Sequence, residues 1–151
     1  MPATSIAKRF GDLDPAERLS DLDLFAGCTR TQLRKIDALT TDLSIRKDSV
    51  LIREDSAARE FIVIRTGSAR VTRRTNEGVT TVANMGTGNF LGEQPLLTRT
   101  RWTATATATT DLEVLVSSLE EFRSILEIAP SVIHHLHRDP LALAGNMPSA
   151  A

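Results

Sequence analysis

Glycines at 86, 88 and 92, an acid at 93 and a proline at 95 crowd into one stretch, GTGNFLGEQPLLTRTRWTATATAT, which then settles into strict Thr/Ala alternation. Trp102, the chain's single tryptophan, stands at the seam. Glycine turns let backbone approach a bound group closely, and Pro95 fits the first turn of a helix whose outward N–H groups form an anion site. Glu93 beside that site is a fixed acceptor. An acid next to a phosphate pocket is useful when it accepts from a sugar hydroxyl while amides and one cation hold the phosphate. The plainer alternatives are a simple hairpin turn for GTGNFLGE and, for Glu93, a structural acid taking hydrogen bonds from neighbouring amides. A P-loop or dinucleotide loop is a poor match, because no Lys-Ser/Thr follows and no long helix can run through Pro95 into TRTRWT.

Other chemistry is thinly represented. His134 and His137 share a helix face, with His135 beside them, but without a cysteine or a facing carboxylate a surface helix is the expected reading and no metal site is assigned. G-x-S-x-G, H-E-x-x-H and Cys-His pairings are missing, so a hydrolase would have no nucleophile. The chain is expected not to be an enzyme. Cys28, the single cysteine, cannot form an internal disulfide and reads as a small buried apolar residue, in keeping with a reducing cytoplasm.

The elements that must hold the 86–109 stretch follow from hydrophobic period. Thr29 or Thr31 caps a short amphipathic helix with Leu33, Ile36 and Leu39 on one face. From about residue 42 the period becomes two, through LSIRK, SVLIRE, EFIVIRTG, SARVTRR and VTTVANMG, with turn residues at Asp48, Asp55-Ser56, Gly67, Asn76-Glu77-Gly78 and Gly86. Short strands so closely spaced predict an all-β sandwich or barrel. After a last strand, LEVLVSS, the pair Ser118/Glu121 forms a capping box for a helix carrying Phe122, Ile125 and Leu126. That helix stops near Pro130, and a second, SVIHHLHRD, ends at Pro140. Along a regular strand Trp102 shares the parity of Ala104, Ala106 and Ala108, so its ring points into the same interior. Arg99 and Arg101 have the opposite parity and point away unless a bulge intervenes.

In this order FIVIRTGSARV, GTGNFLGEQPLL, TATATA and LEEFRSIL, preceded by LFAGCTRTQLRKI, resemble the cyclic nucleotide-binding domain family, the effector-binding module of catabolite activator proteins, cyclic-nucleotide-dependent kinases and gated channels. The resemblance covers roughly Leu22 to His137. It implies a mainly β fold with flanking helices, a jelly-roll β-roll of double-stranded β-helix type, and a cyclic nucleotide as ligand, cAMP ahead of cGMP, with no cofactor. Carried onto this chain, Glu93 is the ribose 2′-hydroxyl acceptor. Gly92 and Gln94 supply backbone near the sugar-phosphate, Thr103 reaches the cyclic phosphate, and Ala104 is the small residue that lets the strand approach. The family's phosphate arginine falls on Trp102, which is the main departure, and Arg101 is the candidate substitute cation. Asp48 and Asp55 replace turn glycines, which aspartate tolerates in left-handed geometry.

At 151 residues the chain fits one domain. Residues 1–20 are expected to be a polar tail or a short docked helix, 21–138 the binding domain, and 139–151 a loose tail. A net charge of -1, without a basic cluster, argues against nonspecific nucleic-acid binding. Nor is there an apolar run for a signal peptide or a membrane span, so a cytoplasmic, membrane-free protein is expected. The second helix reads as too short for the dimer helix of the family's transcription factors, so no DNA-binding domain is expected and a protein partner is expected to receive the signal. The competing expectation is a degenerate domain, plugged by Trp102, that serves as a protein-interaction scaffold; a third is a fragment of a longer regulator.

Overall fold

The computed structural model describes residues 5–6, 15–92, 95 and 98–136. A two-residue strand, β1 (Ser5–Ile6), precedes helix α1 (Pro15–Ser20), a 3-10 turn (Asp23–Phe25) and helix α2 (Arg30–Asp37). Of the two expectations for the first twenty residues, residues 15–20 form the docked helix: Ala16 and Leu19 are completely buried. Thr29 rather than Thr31 caps α2, accepting from the Gln32 amide at 3.1 Å while Gln32 Oε1 accepts from the Thr29 amide at 2.8 Å. This reciprocal arrangement satisfies two N–H groups that a helix start leaves open. Gln32 Nε2 also donates to the Ile128 carbonyl, 3.0 Å away, so the cap ties α2 to the far end of the chain.

Strands follow as β2 (Thr41–Ile45), β3 (Val50–Ile52), β4 (Glu60–Thr66), β5 (Ala69–Thr75), β6 (Gly78–Met85), β7 (Phe90–Leu91), β8 (Thr105–Ala108) and β9 (Leu112–Ser118), then helices α3 (Leu119–Ile128) and α4 (Val132–Leu136). Two antiparallel sheets result, in the orders β1-β2-β9-β4-β7 and β3-β8-β5-β6. The alternating patterns predict an all-β architecture, and the two sheets form the β-roll with flanking helices that the family resemblance implies. Asp48 and Asp55 take left-handed backbone, φ 74° and 69°, at either end of β3. Their amides donate to the Ala108 and Trp102 carbonyls at 2.8 and 2.9 Å, so the two turns pin β3 along the strand that carries the Thr/Ala repeat.

Apolar residues divide into two cores separated by β4 and β9. Between the five-stranded sheet and the helices lie Leu19, Phe25, Ile36, Phe61, Phe122 and Ile125, with the Phe61 and Phe122 rings stacked at 4.2 Å between centroids. Inside the roll lie Ile62, Ile64, Val71, Leu91, Trp102 and the alanines of β8. Because β4 separates the two cores, its residues from Phe61 to Arg65 are all buried and the strict alternation expected for it is lost. Its periodicity fails because both faces are covered. Ser118 Oγ accepts from the Glu121 amide at 3.1 Å and Glu121 Oε1 from the Ser118 amide at 2.8 Å, the capping box expected for α3. His137 and the tail 139–151 lie outside the described residues.

Candidate functional site

Three glycines and one asparagine fold the loop that enters the site. The Gly86 amide donates to Asn89 Oδ1 at 2.8 Å, closing the turn, and the Gly88 amide donates to the Ile64 carbonyl at 2.7 Å while the Ile64 amide donates to the Asn89 carbonyl at 2.9 Å. These bonds fix the loop to β4, and β7 extends the attachment through Ile62↔Leu91 and Val63↔Phe90. At Gly92 the backbone is left-handed, φ 107°, and a Cβ there would stand 2.7 Å from the Glu60 carbonyl oxygen and 2.9 Å from Trp102 Cη2. Only glycine fits that passage. Glu93 and Gln94, the acceptor and backbone positions taken from the motif, lie outside the described residues.

The returning strand arrives through Arg99, which also has left-handed backbone at φ 56°. Arg101 forms an isolated bridge with Ala57, and its Nη1 donates to the Asp55 carbonyl at 2.6 Å. Its side chain is exposed and held against the outer loop, as strand parity requires. The Trp102 amide donates to the Ser56 carbonyl at 3.0 Å. Together with the Asp55 amide on its carbonyl, this clamps the Trp102 backbone to the 53–59 segment.

Side-chain parity then sorts the strand. Trp102, Ala104, Ala106 and Ala108 are 5%, 0%, 0% and 1% exposed, so the indole and the alanine methyls face one interior, as the alternation predicts. Thr103 points outward and is exposed, so it is the main chain of this residue that faces the neighbouring strands. A cleft of about 230 Å³ borders the indole from the β3 side, lined by Val50, Ile52, Arg53, Ser56, Arg59 and Trp102. Trp102 thus separates an outer cleft from the roll interior.

One charged residue inside the roll was not anticipated. Along β5 the buried positions are Ala69, Val71 and Arg73, whereas Arg70 and Arg74 are exposed. Arg73 Nε donates to the Thr103 carbonyl at 3.2 Å, bringing a guanidinium beside the peptide that follows Trp102. The signal is present in SARVTRR, where an arginine occupies the inward register set by alanine and valine. Among the described residues no group of three or more His, Cys, Asp or Glu is placed to hold a metal ion, and no helix is long and apolar enough to cross a membrane.

Comparison with known proteins places this geometry. The family model for the cyclic nucleotide-binding domain matches residues 42–128. A cAMP-dependent protein kinase regulatory subunit of Yarrowia lipolytica is 33% identical over 104 residues, covering 69% of this chain and 26% of the subunit. The acetyltransferase Pat of Mycolicibacterium smegmatis is 28% identical over 123 residues, 82% of this chain and 37% of the enzyme. A solved cyclic nucleotide-binding-like protein from Brucella abortus superposes with a TM-score of 0.62 at 32% identity, covering 76% of this chain and 98% of that one. The chain spans between about a quarter and two-fifths of the length of the curated relatives it matches.

Proposed function

Because the chain belongs to the cyclic nucleotide-binding domain family, we propose that it is a non-catalytic regulatory domain that takes a cyclic nucleotide, cAMP ahead of cGMP, and binds it weakly. The observation that carries this reading is the Trp102 indole lying against Gly92, at the end of a glycine turn bonded to β4. The loop keeps its glycine geometry and its attachment to β4, while the position of the phosphate arginine holds an apolar ring. A charge-assisted arginine–phosphate pair contributes about 1.5–3 kcal/mol, so its loss from position 102 alone, before any cation on another strand is counted, weakens binding by roughly 10–100-fold. Glu93 would accept from the ribose 2′-hydroxyl, Gly92 and Gln94 would offer backbone to the sugar-phosphate, and Thr103 and Ala104 would line the phosphate approach.

Signalling would follow from a population shift. A ligand seated against Gly92 must displace the indole, and Gly92 also abuts Glu60 and Phe61. Phe61 stacks on Phe122 of α3, so movement at the loop reaches the helices through one packed pair. A ligand favouring one placement of α3 and α4 would change what those helices present to a protein partner.

A second reading is favoured by the same indole: at 5% exposure in an apolar interior it is well packed, which suits a scaffold that no longer binds nucleotide. Titration with cAMP and cGMP, followed by Trp102 fluorescence and calorimetry, decides between them. Saturable heat with an emission shift at sub-millimolar to millimolar nucleotide is expected, and neither signal at millimolar nucleotide leaves the scaffold.

A further inference from the structure

Arg65 and Arg73 are the buried arginines among the described residues, each 8% exposed, and they serve different parts of the fold. Arg65 donates to the Arg18 carbonyl and lies 3.7 Å from an Asp21 carboxylate oxygen, joining β4 to the N-terminal helix. Arg73 is in the other core. It shares the inward face of β5 with Ala69 and Val71, one residue beyond Thr72, which pairs with Thr105 at the start of β8. Its Nε bond to the Thr103 carbonyl sets the plane of the guanidinium at the end of the roll where Trp102 is found.

Burying a guanidinium on a strand face shared with Ala69 and Val71 costs several kcal/mol before compensation, which the Thr103 carbonyl supplies in part, and apolar residues of similar volume would serve packing alone at least as well. An arginine is suited to this place if the place receives an anion: its planar fork matches phosphate oxygens two at a time, and burial from water strengthens the interaction. The other arginines near the site do not meet this geometry. Arg70, Arg74, Arg99 and Arg101 are exposed, and Arg53 and Arg59 border the outer cleft on the far side of the indole.

We infer that Arg73, reaching in from β5, is the cation that receives the ligand's phosphate in this chain, in place of the strand position occupied by Trp102. The inference rests on the nucleotide-binding reading above and assigns the phosphate contact within it. The guanidinium comes from β5, the neighbour of β8 in the sheet, so a phosphate held by Arg73 needs no cation at position 102. Any acceptor that Arg73 holds in the unliganded chain is exchanged for phosphate oxygens on binding.

The test uses the full chain and calorimetric titration with cAMP, adenosine and inorganic phosphate. Arg73→Met keeps length and removes charge; the expected result is cAMP affinity weaker by roughly 10–100-fold with adenosine affinity unchanged, because only the phosphate contact is lost. Arg73→Lys, which keeps a point charge without the fork, is expected to recover part of the loss, and serves as the primary reading if Arg73→Met does not fold. Equal cAMP affinity in wild type and variant overturns the inference and leaves the nucleotide reading standing. Equal losses for cAMP and adenosine also overturn it, since they show a structural role. Inorganic phosphate competing as strongly as cAMP overturns it too, by showing a general anion site. If wild type binds neither cAMP nor adenosine, the nucleotide reading itself fails and this assignment falls with it.

Discussion

The Cη2 atom of Trp102 stands 2.9 Å from where a Cβ on Gly92 would be, so the indole closes over a residue of the loop that has no room for a side chain. Two constraints meet at Gly92: a left-handed backbone with φ of 107°, and a wall made by the Glu60 carbonyl and the Trp102 ring. Gly92→Ala is expected to destabilise the chain by about 2–4 kcal/mol in urea unfolding, through backbone strain and overlap together. In a Trp102→Ala background the indole overlap is gone while the carbonyl overlap and strain persist, so the cost falls without vanishing. A double-mutant cycle should therefore give a coupling of about 0.5–3 kcal/mol. Strict additivity would mean that the two residues do not touch in solution.

Replacing the ring by the residue that the family places there separates affinity from stability. Trp102→Arg is expected to tighten cAMP binding by roughly 10–100-fold while lowering the unfolding free energy of the unliganded chain by about 3 kcal/mol, since a large buried ring is lost and a charge enters an apolar core. Saturating nucleotide should recover much of that loss by linkage. Glu93→Ala is expected to weaken binding. Calorimetry and thermal unfolding with and without nucleotide check all three; unchanged affinity in both variants would place the ligand elsewhere.

Much of this architecture can be read from residue order because local chemistry and tertiary context agree. The cap at Thr29, one of the two threonines the pattern offers, the capping box Ser118/Glu121, the turn aspartates 48 and 55, and the inward set Trp102-Ala104-Ala106-Ala108 each depend on interactions within a few residues or on strand parity alone. Two things escape such reasoning. Strand β4 breaks its period because a second layer covers its other face, a fact that belongs to α3 and the 3-10 turn rather than to EFIVIRT. Arg73 escapes because an arginine in an inward register looks like a surface residue until its strand is paired with β8, the segment leading out of Trp102.

The N-terminal helix is held by charge as well as by packing. Arg18 donates through Nη1 to Asp42 and through Nη2 to Asp37, linking α1 to β2 and α2, with the three side chains only 11–21% exposed. Burial alone would lower the Arg18 pKa; the hydrogen bonds it donates to Asp37 and Asp42 and the charge of those carboxylates outweigh it, so the guanidinium titrates above its ordinary value. A cation with a raised folded-state pKa contributes stability at every pH below its unfolded value and loses it only as pH rises through the folded one. Arg18→Met is therefore expected to cost about 2 kcal/mol, less than the 3–5 of a fully buried pair, with the difference from wild type flat between about pH 6 and 9. Urea unfolding across that range checks it; a difference that disappears toward pH 9 would assign the stabilisation to another group.

Cys28 offers a probe of the contact between the N-terminal and C-terminal helices. It is half-buried, and burial pushes its thiol above the usual range, with a hydrogen bond to Ser131 opposing that shift in part. The thiolate is the reactive form, so a raised pKa leaves less of it at neutral pH. Alkylation by iodoacetamide should be slower than for an unstructured cysteine peptide at pH 7.5, and the rate should keep rising through the alkaline range after the peptide's has levelled off. Ser131→Ala removes the opposing hydrogen bond, leaving burial to act alone, and is expected to slow the reaction further at neutral pH. A faster reaction in that variant would mean that Ser131 shields the sulfur sterically and that loosening of the turn before α4 outweighs the lost hydrogen bond.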